Sequence, residues 1–204
     1  TKMHKPINMR TIEKAITTCI TLHEGQVRKG DNETPYVVHP IETAMIVAKH
    51  TTNETMIVSA LLHDTIEDCN YSASEITKEF GEEVASFVSL LTDDKKIADW
   101  AERKDANIAG LRENKLAYFV RVADAVSNMR SLVGALQEHG SAVWSMFNAP
   151  KAAKMQYYRV ILHDMKDVLP VELLEEFVGL LKDLEYSEYF EKNRLGFETA
   201  EKKE

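Results

Sequence analysis

Apolar residues recur at intervals of three and four along almost the whole chain, and no stretch alternates convincingly with a period of two. Leu111, Leu116, Phe119, Val120, Val122, Ala123, Val126 and Met129 show the pattern in one segment. Only 8 glycines and 5 prolines interrupt 204 residues, which leaves few places for strand-to-strand turns. The expectation is an all-α fold, a helical bundle, with helices near 7–24, 40–50, 54–69, 73–80, 82–93, 97–111, 113–136, 149–167 and 170–184. Several boundaries have a mechanism. Pro40 suits a first helical turn, where its missing N–H had no partner to lose. Ser72 with Glu75 forms a capping-box pattern, and Gly81 fits a stop after Phe80. Pro170 opens a helix whose apolar face runs through Leu173, Leu174, Phe177, Leu180, Leu181 and Leu184. No internal repeat of fixed period is present. At about 150 residues per domain the chain holds one domain, over residues 1–184, followed by a charged C-terminal tail, 185–204, dense in Glu and Lys.

With 44% apolar and 28% charged residues the chain can bury a real core. Its 33 acidic against 25 basic side chains give a net charge of -8, which repels a polyphosphate backbone and argues against a nucleic-acid partner. The longest apolar stretches, such as Ile57 to Leu62, are too short to cross a bilayer, and Arg10, Glu13 and Lys14 interrupt any signal-peptide core in residues 1–20. The expectation is a soluble, cytoplasmic protein with no membrane partner. Cys19 and Cys69 lack CxxC spacing and read as reduced thiols with no metal role.

The chemistry concentrates in Ile57-Val58-Ser59-Ala60-Leu61-Leu62-His63-Asp64-Thr65-Ile66-Glu67-Asp68. Its first half is apolar all round, the mark of a helix buried on every side. Four ionisable side chains then arrive in six residues. At about 100° per residue His63 and Glu67 share one face and Asp64 and Asp68 the next, so the four span about 140°. Carboxylates beside an imidazole inside a bundle repel one another and lose hydration, and a divalent cation is the simplest compensation. In Tyr118-Phe119-Val120-Arg121-Val122-Ala123-Asp124-Ala125-Val126-Ser127-Asn128 a carboxylate, Asp124, enters an apolar run, with the Asn128 amide one turn later. A third imidazole comes from Tyr36-Val37-Val38-His39-Pro40, where proline fixes the chain's entry into the next helix. Two His and two Asp form a mixed nitrogen and oxygen set suited to Mn²⁺, Fe²⁺ or a similar divalent ion, and argue against structural zinc. Leu162-His163-Asp164-Met165-Lys166-Asp167 repeats the local pattern, but Lys166 puts a cation next to the position that Glu67 holds in the first copy, and it reads as surface or a helix contact.

Together these segments resemble the HD-domain metal-dependent phosphohydrolases, and within them the hydrolase domain of RelA/SpoT proteins and their small stand-alone metazoan relatives. The likeness runs from about residue 10 to residue 160. It is carried by His23-Glu24-Gly25-Gln26-Val27-Arg28-Lys29, Thr34-Pro35-Tyr36-Val37-Val38-His39-Pro40, Ala60-Leu61-Leu62-His63-Asp64-Thr65-Ile66-Glu67-Asp68, Phe80-Gly81, Leu91-Thr92-Asp93-Asp94-Lys95, Glu102-Arg103-Lys104 and Ala123-Asp124 with Asn128. The resemblance implies His39, His63, Asp64 and Asp124 as metal ligands, the same set that the residues suggest, with Mn²⁺ as the usual ion. It implies Glu67 and Asp68 as the acidic pair that activates and orients the attacking water, work that needs a carboxyl pKa raised toward neutrality. The ion's two charges are cancelled by Asp64 and Asp124, so phosphate binding needs further cations. Arg28 and Lys29 are the candidates, one a planar fork and the other a point charge. Lys154 and Tyr158, following Phe147-Asn148-Ala149-Pro150, are candidates for a distal phosphate and a base or ribose, and Asn128 for the nucleotide or the metal shell.

The chain departs from the family where Ala125 stands in place of a commonly basic residue and Val126-Ser127 in place of longer side chains, which bears on nucleotide selectivity. The implied function is Mn²⁺-dependent removal of pyrophosphate from the ribose 3′ position of ppGpp or pppGpp, a small-molecule nucleotide substrate. The alternatives are a phosphatase acting on NADPH or another phosphorylated nucleotide, a non-catalytic nucleotide-sensing module, and a helical interaction scaffold. Residues 160–204 have little family counterpart and leave homo-oligomer formation open.

Overall fold

The computed structural model describes residues 8–29 and 33–201, and side chains in the last helix as far as Ser187. Its elements are α1 (Met9–Leu22), α2 (Val38–His50), α3 (Glu54–Leu62), α4 (Thr65–Cys69), α5 (Ala73–Phe80), α6 (Glu82–Leu91), α7 (Trp100–Leu111), α8 (Lys115–His139), a 3₁₀ stretch at Gly140–Met146, α9 (Lys151–Met165) and α10 (Val171–Glu201). Among the described residues the extended pairing is confined to an isolated bridge, Val27 with Pro35. The all-α expectation therefore holds. No helix among them is long and apolar enough to cross a membrane. The described residues divide into two compact units, 8–28 with 33–127 and 29 with 128–201.

In the first unit α3 lies at the centre, packed against α1, α2 and α6. Every residue from Met56 to Leu62 is buried, which is why the segment carries no polar face. Asn53 starts this helix by accepting the Met56 N–H on its side chain at 3.1 Å. α5 and α6 pack on each other as a helical hairpin. The capping box forms as the sequence suggests: Ser72 Oγ accepts the Glu75 N–H at 3.2 Å, and Glu75 Oε2 accepts the Ser72 N–H at 2.8 Å. Gly81 closes α5 and opens α6 at φ +94°, a conformation that a side chain would strain. Pro40 falls in the first turn of α2, as expected.

In the second unit α9 and the 3₁₀ stretch pack on α10. Met155, Tyr158, Ile161 and Met165 of α9 are buried, as are Leu173, Phe177, Leu181 and Leu184 of α10. Ion pairs Arg159–Glu185 and Arg130–Glu176, at 2.7 and 2.6 Å, tie α9 and the C-terminal half of α8 to α10. His163 is exposed and Asp164 half-buried on α9. The 3₁₀ stretch is unforeseen, and the helix expected over 170–184 runs on to Glu201.

The most consequential difference concerns the segment expected as one helix over 54–69. It is two helices, with His63 and Asp64 in the break. The acceptors that would continue α3 are taken by side chains: His63 Nδ1 meets the Ala60 carbonyl at 2.8 Å, and Thr65 Oγ1 donates to the Leu62 carbonyl at 2.7 Å. Asp64 rests at φ -98°, ψ -3°, off regular helical values, and the Asp68 N–H then bonds the Asp64 carbonyl at 2.8 Å as α4 begins. Facial bookkeeping at 100° per residue therefore does not carry across from His63 to Glu67.

Candidate metal centre

Three elements of the first unit bring His39, His63, Asp64 and Asp124 together. His39 is held in the first turn of α2, His63 and Asp64 in the α3–α4 break, and Asp124 in α8. His39 Nε2 and His63 Nε2 are 3.2 Å apart. Asp124 Oδ1 lies 3.1 Å from His39 Nε2 and 3.6 Å from His63 Nε2. Asp64 Oδ2 lies 2.9 Å from His63 Nε2 and 3.7 Å from His39 Nε2. The tightest mutual group is His39, His63 and Asp124, whose donor atoms all lie within 4.8 Å of one another. Asp64 joins from the His63 side. Both imidazoles and Asp124 are buried, and the Asp64 side chain is 17% exposed.

The spacings among His39, His63 and Asp124, and from Asp64 to the two imidazoles, fit a cation. With donor–ion distances of about 2.1 Å, neighbouring donors stand about 3.0 Å apart on an octahedron and about 3.4 Å on a tetrahedron. The outer nitrogens reinforce the fit. A carbonyl can only accept, so His63 Nδ1 carries a hydrogen and donates it to Ala60. His39 Nδ1 faces Ser127 Oγ at 2.8 Å, and Ser127 donates in turn to Glu42 Oε2 at 2.7 Å, so His39 Nδ1 is also a donor. Both Nε2 atoms therefore present lone pairs to the same small space, between two carboxylates. Something positive has to sit there.

Without an ion that charge is a proton. Burial opposes a charged His63, but Asp64 and Asp124 outweigh it and lift its pKa to about 10. Burial, joined by the charge on His63, pulls His39 down. Burial also opposes ionised Asp64 and Asp124, yet the imidazoles, and for Asp124 the Arg121 guanidinium, hold both below the usual carboxylate range. Tyr36 donates its phenol hydrogen to Asp64 Oδ2 at 2.6 Å, and burial with the Asp64 charge drives that phenol far above its ordinary pKa.

An HD domain family matches residues 15–152 of the chain. The chain belongs to the HD-domain family. Among its relatives, a GTP pyrophosphokinase of Myxococcus xanthus is 36% identical over 138 residues, covering 63% of this chain and 18% of that protein. A guanosine-3′,5′-bis(diphosphate) 3′-pyrophosphohydrolase of Drosophila melanogaster is 36% identical over 113 residues, covering 54% of this chain and 63% of that one. The HD domain thus spans under a fifth of the first relative's length and under two thirds of the second's. A solved structure described as a metazoan orthologue of SpoT that hydrolyses ppGpp superposes with a TM-score of 0.69 at 26% identity, covering 84% of this chain and 94% of that one.

Around the cluster of this HD domain, Glu67 and Asp68 stand on α4. Glu67 is half-buried, and its Oε2 lies 3.4 Å from the Asp93 N–H. Burial first, then the charges of Asp93 and Asp64, raise its pKa, with Lys104 pulling the other way. Asp68 is exposed and lies 3.5 Å from Lys95 Nζ, which also donates to the Glu67 carbonyl at 2.5 Å. Asp93 is buried against Lys104 Nζ at 2.6 Å and Arg103 Nε at 3.7 Å. Arg28 is half-buried, in a loop pinned by its own N–H to the Thr34 carbonyl at 2.9 Å and by the Tyr36 N–H to the Gln26 carbonyl at 2.8 Å.

Lys29, Asn128, Lys154 and Tyr158 belong to the second unit. There Lys29 is exposed and Asn128 half-buried, Lys154 Nζ lies 4.7 Å over the Phe147 ring, and Tyr158 is buried beside Tyr157 with ring centroids 5.5 Å apart. Sequence reasoning missed Arg121, Lys95 and Lys104 as cations of the first unit, and Tyr36, Ser127 and Glu42 as partners of the central four. Arg121 left a readable signal: two opposite charges at i and i+3 inside an apolar helix must meet each other.

Proposed function

We propose that this HD domain is a divalent-metal phosphohydrolase that removes pyrophosphate from the 3′ position of ppGpp or pppGpp, with Mn²⁺ as its ion. One observation carries the reading: the lone-pair nitrogens of His39 and His63 lie 3.2 Å apart, with an Asp124 oxygen 3.1 and 3.6 Å from them and an Asp64 oxygen 3.7 and 2.9 Å from them. In this account His39, His63, Asp64 and Asp124 hold the ion. When bound, a divalent cation supplies Lewis acidity toward a phosphate oxygen and makes a water molecule more acidic. The protein does the rest. His63 and His39 keep their Nδ1 hydrogens on Ala60 and Ser127, which fixes both rings. Glu67, ionised yet raised in pKa, accepts the water's proton, and Asp68 orients the same water. Lys95 and Lys104 offset the acidic charge on this side, and Arg28 is the candidate for gripping phosphate oxygens. Relatives that act on ppGpp support the choice of substrate.

Product analysis tests the proposal. With Mn²⁺ and ppGpp the protein should release pyrophosphate and leave the 5′ diphosphate intact, and turnover should stop when the ion is chelated. Orthophosphate from NADPH, with no pyrophosphate from ppGpp, would instead establish the phosphomonoesterase alternative.

A further inference from the structure

Arg121 is buried, 4% exposed, in the second turn of α8. Its NH1 donates to Asp124 Oδ2 at 2.6 Å. Its NH2 donates to the Leu91 carbonyl and to Asn107 Oδ1, the latter at 3.3 Å. Asn107 is fixed in its turn, because its Nδ2 donates to the carbonyls of Leu90 and Thr92 at 2.9 and 3.2 Å. The guanidinium is therefore anchored at the carbonyl end of α6, where the helix's partial negative charge stabilises a cation, and by a side chain of α7. From those anchors one arm reaches the oxygen of Asp124 that faces away from the histidines. The other oxygen, Oδ1, is the one within 3.1 and 3.6 Å of His39 and His63.

We infer that Arg121 is a positioning residue of the metal centre: it occupies Asp124 Oδ2 so that Oδ1 alone is presented to the ion. The inference rests on the metal reading above and goes beyond it. A flexible carboxylate would be free to turn both oxygens inward or to swing away; the charge-assisted bond leaves one oxygen and one direction. Charge points the same way. Two neutral imidazoles, two carboxylates and one guanidinium sum to -1, so a bound divalent ion leaves the cluster at +1, the sign that attracts a phosphate.

The test compares wild type, Arg121→Gln and Arg121→Lys by calorimetric titration with Mn²⁺ and by visible absorption of the Co²⁺-loaded protein, each checked for fold by near-ultraviolet circular dichroism. Removing a partner that orients a metal-binding side chain typically costs about 10–100-fold in metal affinity. Arg121→Gln should show that loss together with altered cobalt bands. Arg121→Lys, which returns a cation to Oδ2, should recover most of the affinity. A folded Arg121→Gln protein that binds both ions as wild type does, or an Arg121→Lys protein no better than Arg121→Gln, overturns the inference. Should Arg121→Gln not fold, Asn107→Ala takes its place, since it removes the guanidinium's side-chain anchor, leaving the Leu91 carbonyl, without touching Asp124; unchanged Mn²⁺ affinity there counts against the inference. If wild type itself binds neither ion, the metal reading fails first, and that outcome is distinct from a defect seen in the variants alone.

Discussion

An Asp64→Ala protein should keep its helices, bind no Mn²⁺ and lose more than about a thousandfold in turnover, because the step that makes water nucleophilic goes with the ion. Asp64 Oδ2 is one of four donor atoms, 2.9 Å from His63 Nε2, and it carries half of the carboxylate charge in the cluster. Its removal also reaches His63, whose pKa of about 10 depends on Asp64 before any other charge. The fold has reason to survive. Asp64 lies in the break between α3 and α4, its side chain is partly exposed, and the Asp68 N–H bonds its backbone carbonyl, which alanine keeps. Metal content by elemental analysis, turnover, and the far-ultraviolet spectrum measured together decide the matter. Normal turnover from a metal-free Asp64→Ala protein would refute the mechanism.

Glu67→Gln should divide the two functions that Asp64→Ala removes together. The ion should still bind, since Glu67 is outside the donor set, while kcat should fall by about 10²–10⁴, the usual worth of a positioned base. The pH profile gives the sign. Burial, Asp93 and Asp64 hold the Glu67 carboxyl above its ordinary range, and a base works only when ionised. Wild-type turnover should therefore be full above that raised pKa and fall away as pH drops through it, at a pH where an unperturbed carboxylate would still be ionised. Glutamine does not titrate, so the residual activity of Glu67→Gln should lack this acid limb. Turnover within a few-fold of wild type, or an acid limb that survives the substitution, would assign the base elsewhere.

The helical fold was legible because its signal is repeated: apolar spacing recurs in every segment, and the Ser72–Glu75 box and Gly81 act through neighbours in sequence. The central four residues were legible for a different reason. A carboxylate or imidazole inside an apolar run is costly, and His63, Asp64 and Asp124 stand in such runs. What stayed hidden depends on distant partners. Nothing local says that His63 Nδ1 takes the Ala60 carbonyl and breaks the helix before Glu67, so an angular reading ran straight through. Ser127 comes within hydrogen-bond reach of His39 and Glu42 only after α2 and α8 pack, 88 and 85 residues away in sequence. Charge bookkeeping from sequence sought its cations at Arg28 and Lys29 and passed over Lys95 and Lys104, whose acidic partners Asp68 and Asp93 lie well beyond neighbouring positions in sequence. The buried guanidinium of Arg121 was already inside the apolar run that revealed Asp124.

The central claim is that one divalent ion sits among His39, His63, Asp64 and Asp124. Anomalous diffraction from crystals of the Mn²⁺-loaded protein, recorded on either side of the manganese absorption edge, tests it most directly. The account predicts a single strong peak about 2.1 Å from His39 Nε2, His63 Nε2, Asp64 Oδ2 and Asp124 Oδ1. A map with no peak there, or with manganese bound only at surface carboxylates, would contradict it.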